Sequence, residues 1–555
     1  MDESKVSKDL VAQLPHEIFG KIIVELPVDA LCECSMVNHI WRDTILDYSS
    51  PWHTIQITQE TNPLLFGILP KVCQYVRRLE VLRLKHGVSE KVAGLISQNN
   101  FDRLQVLNFR ALAYEQLFFL RALSVSPDTT SKLCCALLSI KSTLRELTLQ
   151  LAEYPGAPSL SWVLSSCRNL IALQYHSSNR GAFSGLSSLP FTTTLTKLSL
   201  PDCTYMDPSE LSALLRVSPH LRRLRLDGCQ FDPFSAVSEA LCNLKYLAVN
   251  CNGTIYGNPG DRRDDACCYR DGGAKKQEKR KEGLCSLALG ALAPTRSLAS
   301  FLGYHCKSIN ALCFSVIRDE NYLMLNDVAT ALQLPVMHNL RTIRVQDSSA
   351  VRLWRNMPDI IRACPNLTAF EVVKDRIVPY EEEDDDLAGQ MDGIVESIVD
   401  MNAFSKLRIS RSDLNATVPM CLLYGYSRAG PECALDELEI SHCETDDVSV
   451  MLQVANIQSL RNLKVHNVQM PVPDTLEFIQ AVANLPQLEH LDIKGDNFFV
   501  GNDATIRCIC QSTSLRSIHL DDDVKLTVEE KHMLRDRFVQ EDRVTRDATW
   551  LEDFL

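Results

Sequence analysis

A six-residue pattern, L-x-x-L-x-L or a near variant, occurs sixteen times in this chain of 555 residues, and most copies lie 23 to 31 residues apart. Self-similarity at this period is typical of solenoids, in which each unit packs only on its neighbours. Such a chain folds without one large central core. The copies begin at Leu79, Leu104, Leu144, Leu170, Leu195, Leu221, Leu244, Leu284, Ile309, Leu340, Leu367, Phe404, Leu435, Leu460, Leu488 and Leu515.

Each copy combines a strand pattern with a helix pattern that follows it. Within L-x-x-L-x-L the last two apolar residues alternate with one polar residue, as in a strand with one buried face. After the copy at Leu195, Asp207-Pro208 offers an N-cap and a helix-starting proline, and Pro219 predicts the end of that helix. A similar start signal lies at Asp474. The expected unit is therefore a strand, a turn and a helix.

Three copies are especially regular, namely LTKLSLPDC, LRRLRLDGC and LDELEISHC, and in each a cysteine follows the last apolar position by three residues. These copies resemble the cysteine-containing form of the leucine-rich repeat family, over about residues 76–522. The resemblance implies an α/β fold: a curved solenoid with parallel strands on its concave face and helices on its convex face. Cys203, Cys229 and Cys443 would be small buried residues at the turn rather than catalytic thiols.

The spacing of the copies also predicts the domain organisation. The solenoid is expected over residues 58–526, with disordered inserts at 252–283, which is rich in Gly, Asp, Arg and Lys, and at 379–393, which carries a run of carboxylates. Residues 1–10 are expected to be disordered. Residues 527–555 are expected to form a capping helix and a tail.

A helical pattern of a different kind precedes the repeats. L-P-x-E-I at Leu14, a central Leu31, V-x-x-x-W-R at Val37 and a trailing Trp52 together resemble the F-box, over residues 11–57. The resemblance implies three short helices that bind a Skp-type adaptor and, through it, a cullin. The residues expected at the adaptor are Leu14, Pro15, Glu17, Ile18, Ile22, Leu31, Val37 and Trp41.

An F-box followed by leucine-rich repeats implies the substrate-recognition subunit of an SCF-type (Skp-cullin-F-box) ubiquitin ligase. The repeats would hold a client for ubiquitination and proteasomal degradation, in the cytoplasm or the nucleus. Catalysis would rest on proximity, without a cofactor or a nucleophile from this chain. Two alternatives stay open. The helices could merely cap the array of an interaction scaffold. The chain could be an enzyme, although it contains no G-x-S-x-G, P-loop or H-E-x-x-H motif.

The composition limits the kinds of partner that the chain is expected to bind. The formal net charge of -13 argues against general binding of nucleic acid or of anionic membranes, since both need a basic field. No apolar stretch is long enough to span a bilayer, and the charged N-terminus shows no secretory signal. The 21 cysteines are therefore expected to be thiols in a reducing compartment, and they include no C-x-x-C pair that would favour a zinc site.

Residues beside the last two apolar positions of each copy are expected on the concave face. They are mostly basic in the N-terminal half and mixed or acidic toward the C-terminus, which predicts an acidic or phosphorylated client. Solvent-facing strand positions also tolerate Arg and Lys without any binding role. The candidate client-binding residues are Arg83, Arg110, Lys197, Arg223, Arg225, Arg344 and Arg408.

Overall fold

A computed structural model of the chain describes residues 14–111, 129–151, 157–240, 243–250, 283–290, 296–315, 335–346, 351–373, 393, 395–414, 416–445, 447–495, 503–520 and 527–538. The chain divides into two compact units, which we call the N-terminal unit (residues 1–284) and the C-terminal unit (residues 285–555). The predictions for residues 1–10, for nearly all of the two inserts and for the tail after residue 538 lie outside the described residues.

The N-terminal unit begins with three short helices and continues as an alternation of strands and helices. Its helices are α1 (His16–Glu25), α2 (Val28–Cys34), α3 (His39–Asp47), α4 (Leu65–Val72), α5 (His86–Gln98), α6 (Thr129–Ile140), α7 (Leu160–Ser166), α8 (Pro208–Val217) and α9 (Phe234–Ala240). Its strands are β1 (Thr54–Ile57), β2 (Arg78–Leu84), β3 (Val106–Ala111), β4 (Glu146–Gln150), β5 (Ala172–His176), β6 (Lys197–Leu200), β7 (Arg223–Asp227) and β8 (Tyr246–Asn250).

The C-terminal unit repeats the same alternation. Its helices are α10 (Arg296–His305), α11 (Val351–Arg362), α12 (Thr417–Arg428), α13 (Val448–Leu452), α14 (Val472–Ala483), α15 (Asp503–Gln511) and α16 (Val528–Arg537). Its strands are β9 (Ser286–Gly290), β10 (Ala311–Ser315), β11 (Thr342–Gln346), β12 (Ala369–Val373), β13 (Lys406–Ser410), β14 (Glu437–Ser441), β15 (Asn462–His466), β16 (His490–Lys494) and β17 (Ser517–Leu520).

Every strand pairs in parallel with the next strand along the chain, within each unit. In the N-terminal unit the pairing runs from β1 to β8 without interruption. In the C-terminal unit it runs from β9 to β17. The register places like positions of successive copies side by side, so Leu198 lies opposite Leu224, and Leu224 lies opposite Leu247. The predicted fold class, a short helical start followed by a parallel-stranded solenoid, is confirmed.

The apolar positions of the repeat form the core. Leu221, Leu224 and Leu226 of one copy have no exposed surface, and the same holds for Leu435, Leu438 and Ile440 in the C-terminal unit. The polar residues between them are on the other face of the sheet, because successive side chains of a strand point to opposite sides. The turn cysteines Cys203, Cys229 and Cys443 are buried, as predicted.

The frame of the first predicted copy is wrong by three residues. In β2 the buried pair Leu79 and Val81 lies opposite Leu107 and Phe109 of β3, so this copy begins at Val76 rather than at Leu79. A bulge between Leu82 and Leu84 misled the pattern, because it adds one residue that belongs to no repeat position. A further copy precedes it, in which Trp52, Ile55 and Ile57 are the buried residues.

Helix starts follow local capping chemistry where a cap exists. The Asp207 side chain accepts a hydrogen bond from the Ser209 amide, and Pro208 is the first residue of α8, as predicted. The N-cap predicted at Asp474 is three residues late, because Pro471 is the N-cap and α14 begins at Val472. At α16 the Thr527 side chain and Glu530 form a reciprocal capping box. The Arg537 side chain then ties α16 to the preceding repeat by donating to the Ser512 carbonyl at 2.8 Å.

Candidate functional site

The three N-terminal helices form a module with a small core of their own. Phe19 packs edge-on against Trp41 and Tyr48, with ring centroids 6.1 and 6.2 Å apart. Leu31 on α2 and Ile45 on α3 are also buried in this core. The module is therefore folded by contacts within itself.

This helical module leaves an unusual number of apolar side chains in solvent. Ile18 and Ile22 are each 44% exposed and stand one turn apart on the same face of α1. Met36 and Val37, which connect α2 to α3, are 55% and 62% exposed, and Ile40 on α3 is 40% exposed. Exposed apolar residues concentrated in so short a segment indicate a surface that another protein covers.

The predicted adaptor residues divide by exposure. Pro15, Glu17, Ile18, Ile22 and Val37 are exposed, so they are available to a partner. Leu14 and Trp41 are half-buried, and the Trp41 ring packs edge-on against Phe19.

Leu31 does not lie on a surface that an adaptor could reach. It has no exposed surface, because α2 directs it into the core of the module. Its prediction as a contact residue is therefore corrected to a structural role. The sequence pattern missed Met36 and Ile40, which are both exposed. Their only signal in the sequence was their apolar character next to two motif residues, Val37 and Trp41.

The helical module is joined to the first repeat through shared core residues. Trp52 has no exposed surface, and its indole N–H donates to the Ile45 carbonyl of α3 at 3.2 Å. The Asp29 carboxylate of α2 accepts a hydrogen bond from the Asn62 amide, beyond β1. Trp52 thus belongs both to the repeat frame and to the core of the helical module, so it joins the two without a flexible linker.

The candidate client residues of the N-terminal unit occupy different kinds of position. Arg83 is the extra residue of the β2 bulge and has a left-handed backbone with φ of 53°. Its side chain is exposed. Arg110 donates to the Asn108 side chain at 3.0 Å, and Lys197 is exposed. Arg225 pairs with Asp227 at 2.7 Å.

In the C-terminal unit the candidate arginines are partners in a charge ladder. We use this name for the residues at the third position of successive strands, which alternate in sign. They are Arg344, Glu371, Arg408, Glu439, Lys464 and Asp492, each in register with the next. The Arg408 guanidinium contacts Glu371 at 3.2 Å and Glu439 at 2.9 Å.

The charge ladder changes the interpretation of the basic residues predicted here. Arg344 is only 8% exposed, and both carboxylates beside Arg408 are largely buried. A guanidinium that already binds two carboxylates has little capacity left for a client's anionic group. Arg344 is therefore too buried for the predicted client contact, while Arg408 already binds two carboxylates but keeps 34% of its side chain exposed.

Beside the charge ladder, Glu437 of β14 accepts from two lysines on its neighbouring strands, Lys406 at 3.0 Å and Lys464 at 3.2 Å. Burial raises the pKa of Glu437, but the two lysines outweigh that effect and lower it below its ordinary value. In the same way, burial raises the pKa of Asp492, while His466 and Lys494 lower it overall.

The buried thiols have the chemistry of core residues. Burial raises the pKa of the Cys443 thiol to about 11, and the Cys443 sulfur contacts the Ser441 carbonyl. Burial similarly raises the pKa of Cys167 to about 11 and that of Cys364 to about 12. A thiol with a raised pKa is a poor nucleophile at neutral pH. No disulfide bond joins the cysteines in the described ranges.

Within the described part of the chain, no three His, Cys, Asp or Glu side chains are grouped so as to hold a metal ion. Over the same residues, no helix has both the length and the apolar character that crossing a membrane requires.

Comparison with known proteins identifies the helical module. Residues 11–53 match the F-box domain family. That match ends at the start of β1, so the last four residues of the predicted 11–57 segment form the first strand of the sheet. An F-box domain implies binding to the adaptor of an SCF-type ligase, and the exposed apolar residues Ile18, Ile22 and Val37 lie within the matched range.

Two solved structures match a large part of the chain at low similarity. One is an internalin (inlF) from Listeria monocytogenes, with a TM-score of 0.27 and 12% identity, covering 82% of this chain and 89% of that chain. The other is the yeast complex of Rad7 and Elc1, with a TM-score of 0.28 and 14% identity, covering 71% of this chain and 81% of that chain. Both likenesses are distant, and no curated protein matches the sequence. The family match over residues 11–53 carries the functional argument.

Proposed function

We propose that this chain is the substrate-recognition subunit of an SCF-type ubiquitin ligase. The observation that carries the proposal is the conjunction of an F-box domain over residues 11–53 with exposed apolar side chains on that same module. Ile18, Ile22 and Val37, with Pro15 and Glu17 beside them, would contact a Skp-type adaptor. Burying apolar side chains that stand in solvent favours association by roughly 25 cal/mol per Å².

The solenoid would hold the client, and the adaptor would tie the chain to a cullin and a ubiquitin-loaded conjugating enzyme. In this role the chain is non-catalytic, because proximity between the client lysine and the loaded enzyme supplies the rate enhancement. We infer that the repeats are of the leucine-rich type, since their buried positions are mostly leucine. Proteasomal degradation of a cytoplasmic or nuclear client would follow.

The shared core at Trp52 supports this assignment. A receptor must hold its client at a defined distance from the adaptor, and a rigid junction serves that purpose better than a flexible linker. Trp52 and the Asp29–Asn62 hydrogen bond make such a junction.

Binding of the purified full chain to a Skp-type adaptor tests the proposal. The parent should bind, and Ile18→Asp/Ile22→Asp should bind at least tenfold more weakly, because both substitutions place charge where apolar contact is expected. Leu138→Asp is a matched control, since Leu138 is also about equally exposed, at 42%, but lies on α6 outside the module.

A parent that is folded and does not bind the adaptor would overturn the proposal. The helical module would then be only a cap on the solenoid of an interaction scaffold. The exposed apolar residues speak against that alternative, because a cap buries its apolar face on the array it covers.

A further inference from the structure

The edge of the sheet where the strands begin is strongly basic in the N-terminal unit. Two positions of each copy lie there, the residue before the strand and the first residue of the strand. Backbone hydrogen bonds join the former positions laterally, as from the Arg77 amide to the His53 carbonyl and from the Arg222 amide to the Thr196 carbonyl. Neighbours along this edge are therefore one strand spacing apart, about 4.8 Å.

Seven of these positions are Arg or Lys, and one is acidic, Glu146. We call the seven the basic edge; they are Arg77, Arg78, Arg145, Lys197, Arg222, Arg223 and Lys245. Arg77, Arg145, Lys197 and Arg222 are exposed. Arg78 contacts Glu80 at 2.8 Å, although its side chain stays 49% exposed.

Two cations lie close to His53, at the start of this edge. His53, the first residue of the edge, has a pKa lowered by burial and then by Arg77 and Arg103. The contribution of Arg77 and Arg103 to this pKa is the smaller one, and it has the sign expected of nearby cations.

The same positions in the C-terminal unit do not form such an edge. Three acidic residues, Asp436, Glu437 and Glu489, are interspersed among their four basic residues, Arg341, Lys406, Arg461 and Arg516. Lys406 pairs with Glu437, and Arg516 contacts Glu489 at 3.3 Å. The basic edge is thus a property of one unit and not of the repeat pattern.

We propose that the basic edge binds an extended, anionic segment of a client protein. The inference rests on the proposed function only in calling that protein a client. From β2 to β8 the edge spans six strand spacings, about 29 Å, which matches roughly nine residues of extended chain at 3.3 Å each. An extended segment would place carboxylate or phosphate groups along the row of guanidinium groups, which bind both.

A protein segment fits this edge better than a nucleic acid does. Surfaces that bind single strands interleave cations with aromatic side chains for base stacking, and Tyr246 is the only Phe, Trp or Tyr residue at the sixteen edge positions of the unit. The net charge of -13 also opposes long-range attraction of a polyanion as large as nucleic acid.

Fluorescence anisotropy with a labelled peptide of about 14 residues, alternating Glu and Ala, tests the proposal on the full chain. The parent should bind this peptide and not its Gln-Ala counterpart. Arg145→Glu/Arg222→Glu should weaken binding by roughly tenfold or more, and Arg145→Gln/Arg222→Gln by less. Arg341→Glu is the matched control, because Arg341 is exposed at the same position of the C-terminal unit, and it should bind like the parent.

Several outcomes would overturn the proposal. These are no binding by the parent, unchanged binding by Arg145→Glu/Arg222→Glu, or equal loss in Arg341→Glu. Tighter binding of a single-stranded oligonucleotide, lost in the same double variant, would instead assign the edge to nucleic acid. A peptide with phosphoserine in place of Glu identifies the anion: tighter binding assigns phosphate, and equal binding assigns carboxylate, both through the same arginines.

Adaptor binding separates this inference from the proposed function. Arg145→Glu/Arg222→Glu should keep its adaptor affinity and its thermal melt. Ile18→Asp/Ile22→Asp should keep its peptide affinity. Loss of peptide binding in the first variant with adaptor binding intact supports the basic edge even if the ligase assignment were to fail.

Discussion

The two units are built from the same repeat, yet they place their charged residues differently. In the N-terminal unit, basic residues gather along the strand-start edge, where Arg77, Arg145 and Arg222 are exposed. In the C-terminal unit, charges of opposite sign alternate between adjacent strands, and Arg408 binds carboxylates on both sides. An outward-facing arginine can therefore be available to a partner in one unit and stabilise the sheet in the other. The residues beside it on the neighbouring strands determine which of the two roles it has.

Truncating a core leucine should destabilise the two units to the same extent, and this is the largest of the expected effects. Leu224 and Leu438 occupy the same repeat position, and neither has exposed surface. Leu224→Ala and Leu438→Ala should each lower the free energy of unfolding by about 3 kcal/mol, since each leaves a cavity in a packed core. Urea unfolding measures this, with hydrogen exchange of β7 and β14 peptides to locate the loss. A large effect in only one unit would break the equivalence of the cores.

The outward faces of the two sheets should respond differently to the loss of an arginine, and the expected change in stability is intermediate in size. Arg408→Met should cost about 2 kcal/mol, between the values typical of exposed and buried ion pairs, because the Arg408 side chain is 34% exposed. Arg110→Met in the N-terminal unit, where the partner is the neutral Asn108, should change stability by no more than about 0.5 kcal/mol.

A second substitution sharpens that contrast. Adding Glu439→Gln to Arg408→Met should restore part of the lost stability, because one of the two uncompensated carboxylates is removed. If the double variant is less stable than Arg408→Met, the charge ladder is not held by these ion pairs.

Lowering the pH should change the stability of the two units differently, and this is the smallest of the expected effects. Glu437 and Asp492 have lowered pKa values in the folded C-terminal unit, so the stability they contribute is complete above their unfolded pKa values, near 4 to 4.5. It is lost as the pH falls through their folded values. Asp227 in the N-terminal unit has a raised pKa, chiefly from burial, so its protonation on acidification relieves a cost instead.

Hydrogen exchange between pH 5 and pH 3, corrected for intrinsic rates, should show earlier loss of protection in β14 to β16 than in β6 to β8. Glu437→Gln should reduce the pH dependence of the C-terminal unit, because the titrating group is gone. The same pH dependence in both units would contradict the assigned difference. Asp436, whose pKa is raised by burial, limits the size of the expected effect.

The apolar frame of the repeats was predictable from the chain, because burial follows from local alternation. For every predicted copy after the first, the strand lies where the pattern places it, from Leu107 in β3 to Leu491 in β16. The first copy was misplaced because a bulge residue, Arg83, looks like a regular position in a one-dimensional pattern. The copy at Trp52 was missed because a tryptophan stands where leucine was expected.

The sequence by itself determined the helical module, the repeat frame and the buried turn cysteines, since each depends on residues close together in the chain. The tertiary structure alone decided which charges meet, because Glu371, Arg408 and Glu439 are brought together by strand register across 37 and 31 residues of chain. It also decided that Leu31 is a core residue while Ile18 and Ile22 are exposed. A helical pattern shows that a face is apolar, but only packing decides which apolar face the fold covers and which it leaves for a partner.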